Sequence, residues 1–225
     1  ITNVSLSGDG GTDFARSIMT TDSKHKERAV SFVHAGKTVT VGGVSKGVGM
    51  IHPNMATMLC FVSTDASVEQ DYLQNVLSGA VNASFNMIDV DGDQSTNDTV
   101  VVLANGASET PQIKDGSEGS DSFVEALTYV CTELAKELAG DGEGAQRLIE
   151  VTVEGAQTIS EARISARDIV SSLLVKAMVH GRDPNWGRLV MALGKSGINI
   201  DESKLDIFIS DIHIVHEGIA IPYYR

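Results

Sequence analysis

Only two cysteines, Cys60 and Cys131, occur among 225 residues. Each lies in an apolar neighbourhood, which excludes a disulfide framework and reads as reduced core thiols of a cytosol-like compartment. Basic residues are scarce too: 17 Lys and Arg stand against 30 Asp and Glu, a formal net charge of −13. Such a surface repels phosphate backbones and anionic headgroups, which argues against nucleic-acid and membrane-surface binding. No apolar run reaches membrane-spanning length, and Ile1-Thr2-Asn3-Val4 shows neither a basic leader region nor an initiator Met. A chain beginning inside a longer gene product is the expectation. What remains is ordinary for a folded protein, 42% hydrophobic and 21% charged. That length suits one large domain, or two small ones sharing a core.

Residues 1–16, rich in Gly, Ser and Asp, read as a loop. Lys37–Val41 alternates with β-branched residues and stops at Gly42-Gly43, as a strand does before a turn. Met58–Val62 and Thr99–Leu103 are continuous apolar runs suited to buried strands. Ser67 is placed to cap a helix whose inward positions include Tyr72, Leu73, Val76, Leu77 and Ala80. A second helix covers about Asp121 to Leu138 and ends at Gly140. Leu148–Val153 reads as a half-buried strand, Ile159 to Val179 as one helix, and Asp206–Ile209 and Ile212–His216 as closing strands. The mixture lacks a strict βαβ rhythm, so a layered α/β (α+β) sandwich is expected, with mixed sheets flanked by helices.

The most unusual stretch is Ser45 to Leu59, where Lys46, Gly47, Gly49, His52, Pro53 and Asn54 precede a strand. Pro53 and the glycines prevent a helix, so the backbone is a shaped loop. Its order of residues fits neither a P-loop nor a dinucleotide fingerprint. Thr57 opens the strand, and a hydroxyl there suits a nucleophile as well as a structural role. The chain has no G-x-S-x-G elbow. A cut before Thr57 would supply a base without any partner side chain. The freed α-amine, of ordinary pKa about 7.7–8, is partly neutral near physiological pH. Asp89-Val90-Asp91-Gly92-Asp93 looks like part of a calcium loop, but Gln94 stands at the glycine position and Val100 at the final ligand position. A structured acidic turn is the better reading. His52 is set aside because Pro53 beside it suggests a backbone role. Asn185 and Trp186 read as a packing motif with a buried indole. His213 and His216 lie in an alternating strand with no third ligand in view, so no metal is assigned.

Five blocks carry a resemblance: Ile18–Asp22, Lys46–Leu59, Ser95–Thr99, Asp141–Ala145 and Asp183–Arg188. In this order they resemble the ornithine acetyltransferase family, the glutamate N-acetyltransferases of bifunctional ArgJ type. The resemblance implies a self-processing N-terminal-nucleophile enzyme of arginine biosynthesis. Cleavage between Ala56 and Thr57 would divide residues 1–225 into an α part, 1–56, and a β part, 57–225. Thr57 would then take acetyl from N2-acetylornithine as an acyl-enzyme and pass it to glutamate. Thr20, Lys46, Thr57 and Glu143 match substrate-binding positions. No cofactor or metal is implied, although acetyl-CoA is a donor for some members. A heterotetramer of two α and two β chains is implied, in the cytoplasm or the mitochondrial matrix.

The implied roles make chemical sense. Lys46 suits an α-carboxylate, Glu143 in its Gly-Glu-Gly turn suits the δ-ammonium of ornithine, and Thr20 offers a hydroxyl. An acidic protein also attracts that cation. The family carries a Thr-Gly oxyanion pair upstream and an asparagine with a hydroxyl residue downstream, and nothing before Ile18 or after Pro222 matches them. Losing an oxyanion donor costs about 10²–10³ in rate, so this stretch alone is expected to turn over poorly. Two other readings stand beside the transferase: an inert partial homologue serving as scaffold or acidic metal-binding domain, and a self-cleaving aminopeptidase.

Overall fold

The computed structural model describes residues 7–52 and 58–222. The chain divides into two compact units, Ile1–Leu148 and Ile149–Arg225.

In the first unit, α1 (Gly10–Ser17) leads to strands β1 (Lys26–His34), β2 (Lys37–Lys46) and β3 (Leu59–Thr64), then α2 (Gln70–Ala83), β4 (Thr99–Ala104) and α3 (Ser120–Gly140). The four strands lie in sequence order. β1–β2 and β2–β3 pair antiparallel, and β3–β4 parallel. The β1–β2 hairpin turns on Ala35 and Gly36 at φ 49° and 76°. Two left-handed residues in a two-residue loop match the twist of the flanking strands. One sheet face, with Val39, Val41, Cys60 and Val62, packs on Leu127, Val130 and Leu134 of α3 and on Val76 and Ala80 of α2. Gly43 permits that approach: a Cβ there would stand 3.1 Å from both Leu134 and Val130. Both thiols are buried in this layer. Burial pushes Cys131 up to about 12 and Cys60 well above its ordinary value, so both stay protonated and inert. On the opposite face a groove is lined by Gly11, Phe14, Ala29, Val44, Phe61 and Leu103. There the Phe14 and Phe61 rings meet edge to face at 5.2 Å.

The second unit holds α4 (Ile159–Ser171), α5 (Leu173–Gly181) and α6 (Trp186–Lys195). Strands β5 (Ile207–Ile209), β6 (Ile212–His216) and β7 (Ile219–Ala220) form an antiparallel meander after them. Its core is Ile169, Val175, Met178 and Ala192, with Val151, Leu189 and Ile209 packed against it.

Several local expectations are corrected. A helix, α1, occupies Gly10–Ser17 where a loop was read. α2 begins at Gln70, not at Ser67; Ser67 instead gives its carbonyl to the Ile113 N–H. The single helix over 159–179 is two, because Ser172 turns to φ −68°, ψ 119° and its hydroxyl accepts the Val175 N–H as a new cap. Leu148–Val153 forms no strand, its alternation serving only to set Val151 on the helical core. Trp186 is half-buried rather than buried. No helix among the described residues is long and apolar enough to cross a membrane.

Candidate active site

β2 runs into the loop 46–52, and the register sets Lys46 opposite Leu59. Strand alternation gives Lys46 the face shared by Val44 and Gly42, opposite the α2–α3 layer. The loop is tied down at nearly every residue. Asp22 Oδ1 accepts the Gly47 N–H at 2.8 Å, and Oδ2 accepts the Thr20 N–H at 3.1 Å. The Glu143 N–H donates to Val48 O at 2.9 Å, and the Val90 N–H to Ile51 O at 2.6 Å. Asp91 accepts from the N–H groups of Met50 and Ile51 at 2.6 and 3.1 Å. His52 Nδ1 lies 2.6 Å from Asp89. Thus the acidic turn 89–93 serves as a brace for this loop. Gly47, at φ 144°, holds a backbone shape that a side chain rarely adopts.

Glycine also lets the segments converge. A Cβ on Gly49 would stand 3.3 Å from the Glu143 carboxyl and 3.7 Å from Asp91, and one on Gly142 would press to 2.7 Å from Val90. Beneath them, Lys26 is fully buried and gives hydrogen bonds of 2.7 Å to both Asp22 and Asp141. Arg28, two residues on and on the same face, pairs with Glu137, one helical turn before Asp141. Burial works to raise the Asp22 carboxyl, but the Gly47 N–H, Lys26 and the Thr20 N–H outweigh it and hold it below the usual range. Asp141 is lowered likewise, burial being outweighed by Lys26 and Ser23.

The chain re-enters at Met58, whose N–H donates to Asp98 Oδ1 at 2.8 Å and whose carbonyl accepts the Thr99 N–H at 3.1 Å. Among the described residues, the second Asp98 oxygen is buried without a hydrogen-bond partner. Burial raises its pKa, more than the Met58 N–H and the Lys46 charge lower it. Ala56 and Thr57 lie outside the described residues. Lys46, Thr20 and Glu143 are brought to one loop cluster, Thr20 through Asp22 and Glu143 through the backbone of Val48. Sequence reasoning missed Asp22, Lys26, Asp91 and Asp98. The three acids lie inside or beside the recognised blocks, but an isolated Asp in a loop looks like solvated surface, and Lys26 at the start of β1 looks like an ordinary exposed cation.

The ArgJ family profile matches residues 2–225. The chain belongs to the ArgJ family. It is similar, at 51% identity over 218 residues, to the arginine biosynthesis bifunctional protein ArgJ of Symbiobacterium thermophilum; these are 97% of this chain and 54% of that protein. It is also 48% identical over 225 residues to the glutamate N-acetyltransferase of Methanocaldococcus jannaschii, covering 97% of this chain and 55% of that one. The chain therefore spans about half the length of these relatives. The crystal structure of the ArgJ protein from Bacillus halodurans superposes with a TM-score of 0.71 at 43% identity, over 73% of this chain and 77% of that one. The layered α/β fold with mixed sheets and flanking helices is thus an ArgJ-family fold, as expected.

Proposed function

We propose that the chain carries the nucleophile region of a self-processing acetyltransferase that moves acetyl from N2-acetylornithine to glutamate. One observation carries the reading. In a cluster where Asp22, Asp89, Asp91 and Asp141 are all committed to hydrogen bonds, the side chains of Lys46 and Glu143 make no hydrogen bond or ion pair among the described residues. They are opposite charges left for a zwitterionic substrate, one for a carboxylate and one for an ammonium. Charge-assisted hydrogen bonds of this kind contribute about 1.5–3 kcal/mol each. The names of the matched relatives support the same chemistry.

On this reading, hydrolysis of the 56–57 bond consumes one water and leaves a carboxylate on Ala56 and an amine on Thr57. The amine takes the proton of its own hydroxyl as the oxygen attacks the acetyl carbonyl. The N–C bond to ornithine breaks, and the proton leaves with the departing amine. Glutamate then attacks the ester through its own amine, and the Thr57 oxygen recovers its proton. Asp98, gripping the Met58 N–H, fixes the backbone next to the nucleophile. Thr20 completes the substrate contacts. The cycle uses no cofactor, and acetyl-CoA would serve only as a second acetyl donor. The cleaved parts, 1–56 and 57–225, would assemble as two copies of each. Two buried free thiols suit a reducing compartment such as the cytoplasm.

Intact-mass spectrometry after incubation with N2-acetylornithine tests the proposal. Two fragments and an acetyl adduct on the one beginning at Thr57 are expected, and Thr57→Ala should remain one unmodified chain. A wild-type protein that stays uncut and takes up no acetyl overturns the proposal. Peptide hydrolysis without transfer to glutamate overturns it in favour of an aminopeptidase.

A further inference from the structure

The second unit contains a cluster that the acetyl-transfer reading does not use. Asp206 Oδ1 lies 3.1 Å from His213 Nε2 and 2.9 Å from His216 Nδ1. All three ligand atoms fall within 4.8 Å of one another. The third ligand that the sequence did not reveal is therefore Asp206, from the segment just before β5. A bulge between Ile207 and Phe208 shifts the pairing there, so that Phe208 faces His213 while Ile207 faces Val215.

The donors are held by their surroundings. The His213 ring stacks on Phe208 at 4.2 Å and 13°, which restrains its rotation. Strict strand alternation would send His213 and His216 to opposite faces, yet their rings meet at 5.2 Å. His216 ends β6, and Glu217 beyond it turns to φ 47°. The Glu217 N–H also donates to Asp206 Oδ1 at 3.1 Å, and the Gly218 N–H to Leu205 O at 2.9 Å. This backbone clamp needs its glycine: a Cβ at position 218 would stand 2.3 Å from Glu202 O. Asp206 is thereby fixed beside both rings.

From this geometry we infer that Asp206, His213 and His216 hold one divalent transition cation of the zinc class, with solvent completing the shell. Two imidazoles and a carboxylate are the borderline donors such ions take, whereas calcium and magnesium prefer oxygen alone. With bonds of about 2.0–2.1 Å, neighbouring donors in an octahedral or tetrahedral shell stand roughly 2.8–3.4 Å apart. The observed 2.9 and 3.1 Å sit close to that spacing. Binding needs the lone pairs of His213 Nε2 and His216 Nδ1, so any proton on those nitrogens passes to solvent or to the other nitrogen of the same ring as the cation takes its place.

The test is calorimetric titration of the protein with Zn²⁺, and titration with Co²⁺ read by its visible absorption. One strong site per chain is expected, with ligand-field bands of cobalt bound to nitrogen and oxygen. His213→Ala/His216→Ala should weaken it by more than roughly 100-fold, beyond the 10–100-fold that loss of an outer-shell partner costs. His180→Ala, a histidine on α5 outside the cluster, should leave it unchanged. Far-UV circular dichroism shows whether the double variant keeps its fold. Should it unfold, Asp206→Asn replaces it, with the same loss expected. Unchanged affinity in a folded variant, or no saturable binding in the wild type, overturns the inference.

Discussion

In residues 1–148 the side chains of Leu127, Val130, Leu134 and Leu138 are wholly shielded, and even the Lys26 ammonium is buried with its counter-charges. In residues 149–225, Ile159, Leu173 and Ile219 are more than 70% exposed, and few apolar residues are fully enclosed. One unit is a sheet and two helices closed over a continuous core. The other joins three short helices and a meander through a handful of contacts. Hydrophobic burial at about 25 cal/mol per Å² dominates folding, so the first unit has most of the stabilising area. Local opening should therefore be rarer there, and the candidate site is built on that rigid frame.

Replacing Lys26 with Met strikes the first unit hardest. It leaves Asp22 and Asp141 buried without their cation, a loss of about 3–5 kcal/mol. Amide hydrogen exchange should then show residues 26–46 and 134–141 opening as readily as the second unit. Unchanged protection would mean the cluster stabilises nothing.

Acidification should weaken the same cluster less abruptly. Asp22 and Asp141 have carboxyls below their ordinary values in the fold. Their contribution is thus complete above the usual carboxylate range and disappears as pH falls through their lowered values. A pH series of exchange measurements should show the first unit losing protection only at strongly acid pH, and Lys26→Met should abolish that dependence.

The smallest effect expected is in the second unit. Thr158 accepts the Glu161 N–H at 3.1 Å and caps α4. Thr158→Ala should cost about 1 kcal/mol and raise exchange in 159–171 alone. Spread of the effect into α3 would erase the distinction between the units.

The features legible in sequence were those with a period. Asp121 to Leu138 repeats its apolar positions every third or fourth residue, and α3 follows it. β1 was harder, because Lys26 and His34 occupy buried positions that a polar residue normally avoids. Leu148–Val153 shows the reverse failure: alternation can mark a strand, but a strand also needs a neighbouring backbone to pair with. Ser172 was read as an ordinary helix residue because its capping geometry depends on where α5 packs. At the site, Lys46 and Glu143 were recognisable only through the family blocks. Asp22 and Asp98 gain meaning only when the fold brings Gly47 and Met58 to their oxygens.

The antiparallel ladder between β2 and β3, running from Val41 with Thr64 to Lys46 with Leu59, bears on what a cut chain would be. The 56–57 bond connects those two neighbouring strands. Severing it would assign β2 to one polypeptide and β3 to the other while leaving every rung between them intact. The products would behave as a split protein already reassembled: one particle in native buffer, two chains once the sheet is unfolded.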